Sequence, residues 1–466
     1  MVAAKNAVPD DAILTLGESE RRHEARKVVF ASFIGTTIEW YDFYLYSTCA
    51  ALIFPRLFFP HMETWLGIIA SFATYALGFV ARPVGAWLFG VLGDRQGRKK
   101  VLIETLLVMG IGTVLIGLLP TYETAGSIAA LFLIILRLAQ GIGIGGEWGS
   151  AVVIAVEHAP KELRGLYGSA PQVGVPAGLL LSTFAFWLTS HSMSDAALFA
   201  WGWRIPFLAG IVLVILGIAI RISMMESPVF VDMVKQKTLS KSPTRDMLQT
   251  QRRSLWIAIG MRLLQNAVFY LYTSFFLIYV VQYLHLPRSV GLNNIMLYSA
   301  LGFISLPFWS WLTDKFGRKV VYLTGTVLST LFVVPYFWLL QTGSMFAITV
   351  AVVVGLNFFH DSMYGPQAVY YSELFDAKVR QTGASVAYAV ASVLAGGFSP
   401  IIAEYLLHKM NGQTWGVSLY VIVVGILSII AVLCARETKD DILYEKSATE
   451  KPATGQRVAA GRLSTN

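Results

Sequence analysis

Two carboxylates, Glu39 and Asp42, stand three positions apart in the run FIGTTIEWYDFYLYS (33–47), with no basic residue close by in the chain. On a helix that spacing places both on one face. An ionised side chain deep in an apolar segment costs about 2.5–3.5 kcal/mol on insertion scales, so such groups face protein or water and carry function. Burial and mutual repulsion hold a proton on a carboxyl, whereas a nearby guanidinium drives it off. Acids of this kind can therefore take up and release a proton as their surroundings change. Asp42 is the leading proton carrier by this reasoning and Glu39 its modulator, the alternative being a static buried ion pair. Glu147 and the neighbours His360 and Asp361 are further candidates, because imidazole titrates near neutrality; the latter two could instead bond each other and fix a wall. Arg82, Arg137 and Arg262 interrupt other apolar runs, and their planar forks suit bidentate capture of an anion. Asn266, Tyr270 and Asn357 add polar groups at comparable depth.

These residues need long apolar elements to hold them. Of 466 residues, 55% are hydrophobic and only 14% charged, against about 25% charged in soluble domains, and mean hydropathy is +0.61. Apolar runs of spanning length lie near 28–54, 64–92, 101–120, 126–156, 165–190 and 202–222, then near 254–284, 290–312, 319–340, 344–374, 381–407 and 415–436. The expected fold is an all-α membrane protein of twelve transmembrane helices in two six-helix bundles. Its expected units are a tail (1–27), a first bundle (28–222), a polar linker (223–253), a second bundle (254–436) and a tail (437–466). No short apolar core with a small-residue cleavage site precedes the first run, so no cleavable signal peptide is expected.

At about 1.5 Å per residue, Glu39, Asp42 and Arg82 lie roughly 16 to 20 Å from one end of their helices, and Arg137 a similar distance from the other end of its own. All four share the midplane. Among the 36 Lys and Arg, only Arg56, Arg288 and Lys409 fall in the loops of one side, while Arg82, Arg137, Arg204 and Arg262 sit within or at the ends of spans. The rest crowd the other side, which places both termini and the linker in the cytoplasm. That asymmetry accounts for the net charge of +8 without nucleic acid. Two cysteines in or beside apolar runs, Cys49 and Cys434, fit no disulfide framework or metal site. No phosphate loop, nucleophile elbow or metal cluster emerges, so neither enzyme nor cofactor is expected.

The halves repeat one another. GVLGDRQGRKKV (90–101) is echoed by SWLTDKFGRKVV (310–321), aligning Asp94 with Asp314, Gly97 with Gly317 and Arg98 with Arg318. Glu157 precedes Arg164 by the same interval at which Glu373 precedes Arg380. Asp94, Arg95, Arg98, Asp314 and Arg318 read as gating latches, in which a carboxylate meets a helix N-terminus or an arginine. Glu157, Arg164, Glu373 and Arg380 read either as similar latches or as solvated pairs.

GDRQGRKK, its echo TDKFGRK and RLAQGIGIGGEW (137–148) resemble the signatures of the major facilitator superfamily. IEWYDFYLY, GFVARPVGAWLFG, GGEWG, WGWRIPF and ESPVF together resemble its metabolite:proton symporter family, and FFHDSMYGPQAVYYSELF resembles the shikimate-permease type within it. The resemblance implies two bundles rocking about a central cavity in the inner membrane, with proton influx driving import of a small organic acid. Ser310, where the first copy has Gly90, and Ser150 depart from the family pattern. Expected partners are solute, proton and lipid, with no obligate protein. The alternatives are a symporter of zwitterionic osmolytes such as proline or betaine, a proton-driven exporter, and a non-transporting receptor on the same scaffold. The tail lacks the heptads of the osmosensing carriers, and no signalling extension is evident.

Overall fold

A computed structural model describes Ile13 and residues 16–441; the outer parts of both expected tails lie outside the described residues. The described secondary structure is helical. Span 1 is Glu18–Leu52, span 2 Thr64–Gln96, span 3 Arg98–Leu118 and span 4 Ser127–His158. Spans 5 and 6 are Lys161–His191 and Arg204–Ile222. The second set comprises span 7 (Arg252–Val281), span 8 (Arg288–Phe316), span 9 (Arg318–Gln341), span 10 (Met345–Leu374), span 11 (Arg380–Leu407) and span 12 (Trp415–Cys434). Two short helices, Pro228–Lys235 and Pro243–Thr250, occupy the linker.

Eleven of these helices are long and apolar enough to cross a membrane. Span 1 falls below that mark because Glu39, Asp42 and its Thr and Tyr residues dilute its hydropathy. It nonetheless packs into the first bundle, chiefly along spans 5, 4 and 6. Outward faces carry large apolar side chains, such as Ile211, Val212 and Ile215 on span 6 and Val423, Ile426 and Ile430 on span 12. Such a surface is stable only against lipid.

Spans 2 and 3 meet at Gly97 (φ 108°) and spans 8 and 9 at Gly317 (φ 98°). The repeated sequence needs glycine there because an L side chain at that φ is strained, and a carboxylate, Glu226 or Glu437, packs against each. Both described chain ends lie at this end of the molecule, where Met225 N–H donates to Glu24 and Arg164 reaches the Asp441 carbonyl. It is called the basic end below.

Small residues bring the midplane side chains together. A Cβ on Gly85, Gly141 or Gly145 would strike backbone across the contact between spans 2 and 4, so the glycines of RLAQGIGIGGEW serve close helix approach. Span 2 packs along span 11 and span 5 along span 8, joining the bundles. Spans 7, 10 and 11 each widen into π-helical turns, at 271–275, 354–360 and 392–397 among others; such turns re-aim side chains and recur at functional sites. The π turn of span 10 ends on His360.

Candidate functional site

A small central cavity of about 10 Å³, room for about one water in the state described, lies between the bundles. Its walls comprise Trp40 and Arg82 of the first two spans, Val175 of span 5, Arg262, Gln265, Asn266, Phe269 and Tyr270 of span 7, His360 and Tyr364 of span 10, and Tyr388 of span 11. Arg82 and Arg262 thus approach one chamber from opposite bundles. The Arg82 guanidinium stands over the rings of Phe43 (4.7 Å) and Phe79 (4.3 Å), and its Nε has no hydrogen-bond partner among the described residues. Arg262 lies over Tyr388 (3.4 Å). Its hydrogen-bond partners are neutral: Gln265 Oε1 (2.9 Å), Gln367 Oε1, Asn266 Oδ1 (3.5 Å) and Ser392 Oγ (3.3 Å).

Asn266 and Tyr270 reach this cavity as the sequence suggested. Asn357 does not line it, because its amide donates to the Tyr298 carbonyl (3.1 Å), Ser305 Oγ (3.1 Å) and Asp361 Oδ2 (3.4 Å). His360 Nδ1 lies 2.9 Å from Asp361 Oδ1 and His360 Nε2 2.7 Å from Gln265 Nε2, all of them buried.

Glu39, Asp42, Arg82 and Arg137 are each at most 3% exposed, so none faces lipid. Asp42 and Arg137 stand behind the cavity wall. Arg137 Nη1 donates to Gln140 Oε1 (3.3 Å), Gln140 Nε2 to Thr113 Oγ1 (2.7 Å), and Thr113 to Asp42 Oδ2 (2.7 Å). The Arg137 guanidinium is boxed by Phe43, Tyr46 and Tyr75, its carbon 4.2 to 5.2 Å from the ring centres. Glu39 Oε2 and Asp42 Oδ1 have no hydrogen-bond partner among the described residues. Glu147 is ion-paired with Arg221 and accepts from Thr105 (2.7 Å). Arg221, reckoned with the loop charges in the sequence, is fully buried. At the far end of the molecule Arg204 donates to the Leu119 carbonyl (2.8 Å) and lies over Trp203, an anchor rather than part of the cavity.

At the basic end the latch residues form two matching clusters. Asp94 accepts from the N-terminal amides of span 11, Gln381 (3.3 Å) and Thr382 (2.9 Å), and from Thr382 Oγ1 (2.7 Å). Asp314 accepts from the Gly165 (2.8 Å) and Leu166 (3.0 Å) amides at the start of span 5. Each carboxylate thus caps a helix of the other bundle. The arginines pair across as well. Glu157 meets Arg380 (2.6 Å) and Arg98 (3.5 Å), and Glu373 meets Arg164 (3.7 Å) and Arg318 (3.0 Å). Sequence interval suggested Glu157 with Arg164 and Glu373 with Arg380; the structure exchanges these partners between bundles. Arg95 bonds the Lys241 carbonyl of the linker instead.

Glu226 and Glu437 complete the clusters and were not picked out beforehand. Glu226 accepts from the Arg98 (3.0 Å) and Lys99 (3.1 Å) amides, Glu437 from those of Arg318 (2.9 Å) and Lys319 (3.0 Å). Burial pushes the Glu226 carboxyl above its ordinary range, against the opposing pull of these amides and of Arg98. The neighbouring hydroxyls of Ser227 and Thr438 donate to Glu157 and Glu373. The repeated signal was ES after span 6 and ET after span 12, each an acid followed by a hydroxyl.

Residues 27–247 and 231–448 both match the family described as sugar (and other) transporter. The chain belongs to this family. It is therefore a major facilitator superfamily transporter, a multi-pass protein of the inner membrane, and not an enzyme. It is 39% identical to the shikimate transporter of Escherichia coli K12 over 92% of this chain and 98% of that one. It is 40% identical to the inner membrane metabolite transport protein YhjE of the same strain, over 90% and 95%, and 32% identical to its alpha-ketoglutarate permease, over 91% and 97%. Among solved structures, the proton:xylose symporter XylE bound to 6-bromo-6-deoxy-D-glucose superposes with a TM-score of 0.67 at 18% identity, covering 89% of this chain and 95% of that one. That match shows the shared twelve-helix fold.

Proposed function

We propose that the protein imports a small organic acid together with protons by alternating access, with its basic end in the cytoplasm. The observation that carries this reading is the pair of guanidinium groups, Arg82 and Arg262, entering one cavity from opposite bundles beside His360. Neither makes an ion pair among the described residues. Desolvated arginines without carboxylate partners favour an anionic guest, since charge-assisted hydrogen bonds are about twice as strong as neutral ones. The aromatic faces of Trp40, Phe269, Tyr270, Tyr364 and Tyr388 supply apolar area for a ring or carbon chain.

The relatives named for shikimate and alpha-ketoglutarate agree with an acid, and the proton-coupled fold relative agrees with symport. A zwitterionic osmolyte could set its cationic end against the same rings, but two arginines and no carboxylate among the described lining residues favour a guest of net negative charge. In the state described, the latches hold the basic end shut and Trp148 stacks on Tyr388 (3.8 Å) across the bundles, which fits a carrier closed toward the cytoplasm.

Of the proton candidates, His360 alone lines the cavity. Asp42 answers to Arg137 behind the wall. The proton that meets the solute is therefore assigned to His360 with Asp361, and Asp42 to the charge balance of Arg137.

Thermal shift of the purified protein against organic acids, amino acids, betaines and sugars tests the solute class, because a ligand binding only the folded state stabilises it by mass action. Shikimate or a dicarboxylate should raise Tm. Stabilisation by betaine or proline alone would replace this reading with the osmolyte one.

A further inference from the structure

The hydrogen bonds around Arg262 leave one consistent assignment of donors and acceptors. A guanidinium only donates, so Gln265 must turn Oε1 toward Arg262 Nη1 (2.9 Å). Its NH2 group then faces His360 Nε2 at 2.7 Å, and that nitrogen must accept. The imidazole accordingly carries its hydrogen on Nδ1 and donates it to Asp361 Oδ1 (2.9 Å). Asp361 Oδ2 accepts from Ser305 Oγ and Asn357 Nδ2. Donation thus runs in one direction from Arg262 to Asp361, with a neutral imidazole in the chain.

A proton arriving from water at Nε2 forms a second N–H there, and this donor meets the NH2 of Gln265. Two donors cannot bond, so the amide must rotate and offer Oε1 to the imidazolium. The same rotation turns NH2 toward Arg262, which loses that acceptor and keeps only neutral oxygens of Gln367, Asn266 and Ser392. An N–H of Arg262 is then free to bind a carboxylate in the cavity it lines.

We propose that Gln265 is the coupling element of the transporter, a two-position amide that links proton binding at His360 to anion binding at Arg262. This rests on the reading of the cavity as an anion site. The coupling is reciprocal: an anion that draws Arg262 away frees Gln265 to turn, which favours the proton on His360. Each ligand strengthens the other, the sign that symport requires.

The first bundle supplies an internal comparison. Arg137 and Gln140 repeat the spacing of Arg262 and Gln265, RLAQ against RLLQ, and that chain also ends on a carboxylate, Asp42. Its middle member is Thr113, whose hydroxyl accepts from Gln140 while donating to Asp42. A hydroxyl does both at once, so Gln140 has no cause to turn. The charged groups around His360 are Asp361, Arg262 and, across the cavity, Arg82. The phenols are Tyr270 of span 7, Tyr298 of span 8, Tyr364 of span 10 and Tyr388 of span 11.

Two measurements on the full-length protein test the switch. The first needs no solute: 15N-histidine NMR, with the His360 signal assigned by its loss in His360→Gln. The neutral ring should be the Nδ1–H tautomer, and an Nε2–H tautomer overturns the proposal. The second is calorimetric binding of shikimate, with 2-oxoglutarate as second probe, between pH about 5 and 8. Wild-type affinity should strengthen up to about tenfold per unit fall in pH, with about one proton taken up per anion, the limit for one linked proton. In Gln265→Leu this slope should shrink to what the direct attraction of the imidazolium for the anion supplies, and in Gln140→Leu it should persist. Gln265→Glu, which accepts from Arg262 and from the imidazolium together, keeps the proton bound with or without the anion and should also flatten the slope. A wild-type slope in Gln265→Leu and Gln265→Glu overturns the proposal. If neither probe binds the wild type at any pH, the anion reading fails, and the ring tautomer still decides the switch.

Discussion

At the residue scale, intramembrane charges sort by whether their partners are charged. Glu147 and Arg221 are paired with each other. Arg82 and Arg262 make no ion pair among the described residues: Arg82 lies over rings, with Glu39 within electrostatic reach, and Arg262 meets a ring and neutral oxygens, so substitution should act on the solute. Arg82→Gln and Arg262→Lys should each weaken solute binding roughly 10- to 100-fold, corresponding to about 1.5–3 kcal/mol for a hydrogen bond to a charged group, with Tm little changed; calorimetric titration checks this. Arg262→Lys is a severe change because an ammonium cannot reproduce the planar fork or stack on Tyr388. Asp42→Asn should act the other way. It removes the charge at the end of the Arg137 chain and should lower stability by about 1.5–3 kcal/mol, visible as a drop in Tm. An Asp42→Asn protein of unchanged Tm that has lost pH-driven uptake would return Asp42 to the role of proton carrier.

The residue types that could do this chemistry were legible in the sequence because an acid or arginine in an apolar run stands out. Gln265 and Gln140 were not, since a neutral amide carries no such signal and only the geometry shows it oriented between two groups. Arg221 was missed for a different reason. It sits at the end of an apolar run and reads as a loop charge until Glu147, on another helix, is placed beside it.

At the element scale, the glycines of span 4 decide how near Arg82 and Arg137 can stand. Gly145 packs on the Arg82 carbonyl and Gly141 on that of Gly78. Gly145→Val should force spans 2 and 4 apart at about 1–3 kcal/mol and displace Arg82 with them, so Tm and solute affinity fall together. The latch clusters make a separate prediction. Because burial raises the Glu226 carboxyl, the folded state holds that proton more tightly than the unfolded chain. The resulting stability is full below the ordinary carboxylate range, near pH about 4, and is lost as pH rises through the raised value. Glu226→Gln removes this titration, so its Tm should vary less with pH across that interval than the wild type's; an unchanged profile would show that Glu226 does not titrate there. The spans were readable as apolar runs, eleven of them strongly so, while span 1 is diluted by Glu39 and Asp42. The exchange of Glu157 and Glu373 between Arg380 and Arg164 was not, because equal spacing within each half suggests a local pair and only the packing of spans 4 and 5 against 10 and 11 brings the distant partners nearer.

At the scale of the whole molecule, the two bundles hold complementary halves of one machine. Each contributes an arginine to the cavity and a carboxylate that caps a helix of the other at the basic end. In the proposed cycle, breaking the caps would open that end and an anion in the cavity would neutralise the arginines, so solute, proton and gate would act on the same interface. The most direct test is uptake of radiolabelled shikimate into proteoliposomes under an imposed pH gradient, acidic outside. The wild type should concentrate shikimate above the external level, collapse of the gradient should release it, and Arg82→Gln and Arg262→Lys should abolish accumulation. Equal uptake with and without the gradient, or concentrative uptake that survives loss of both arginines, would contradict the account.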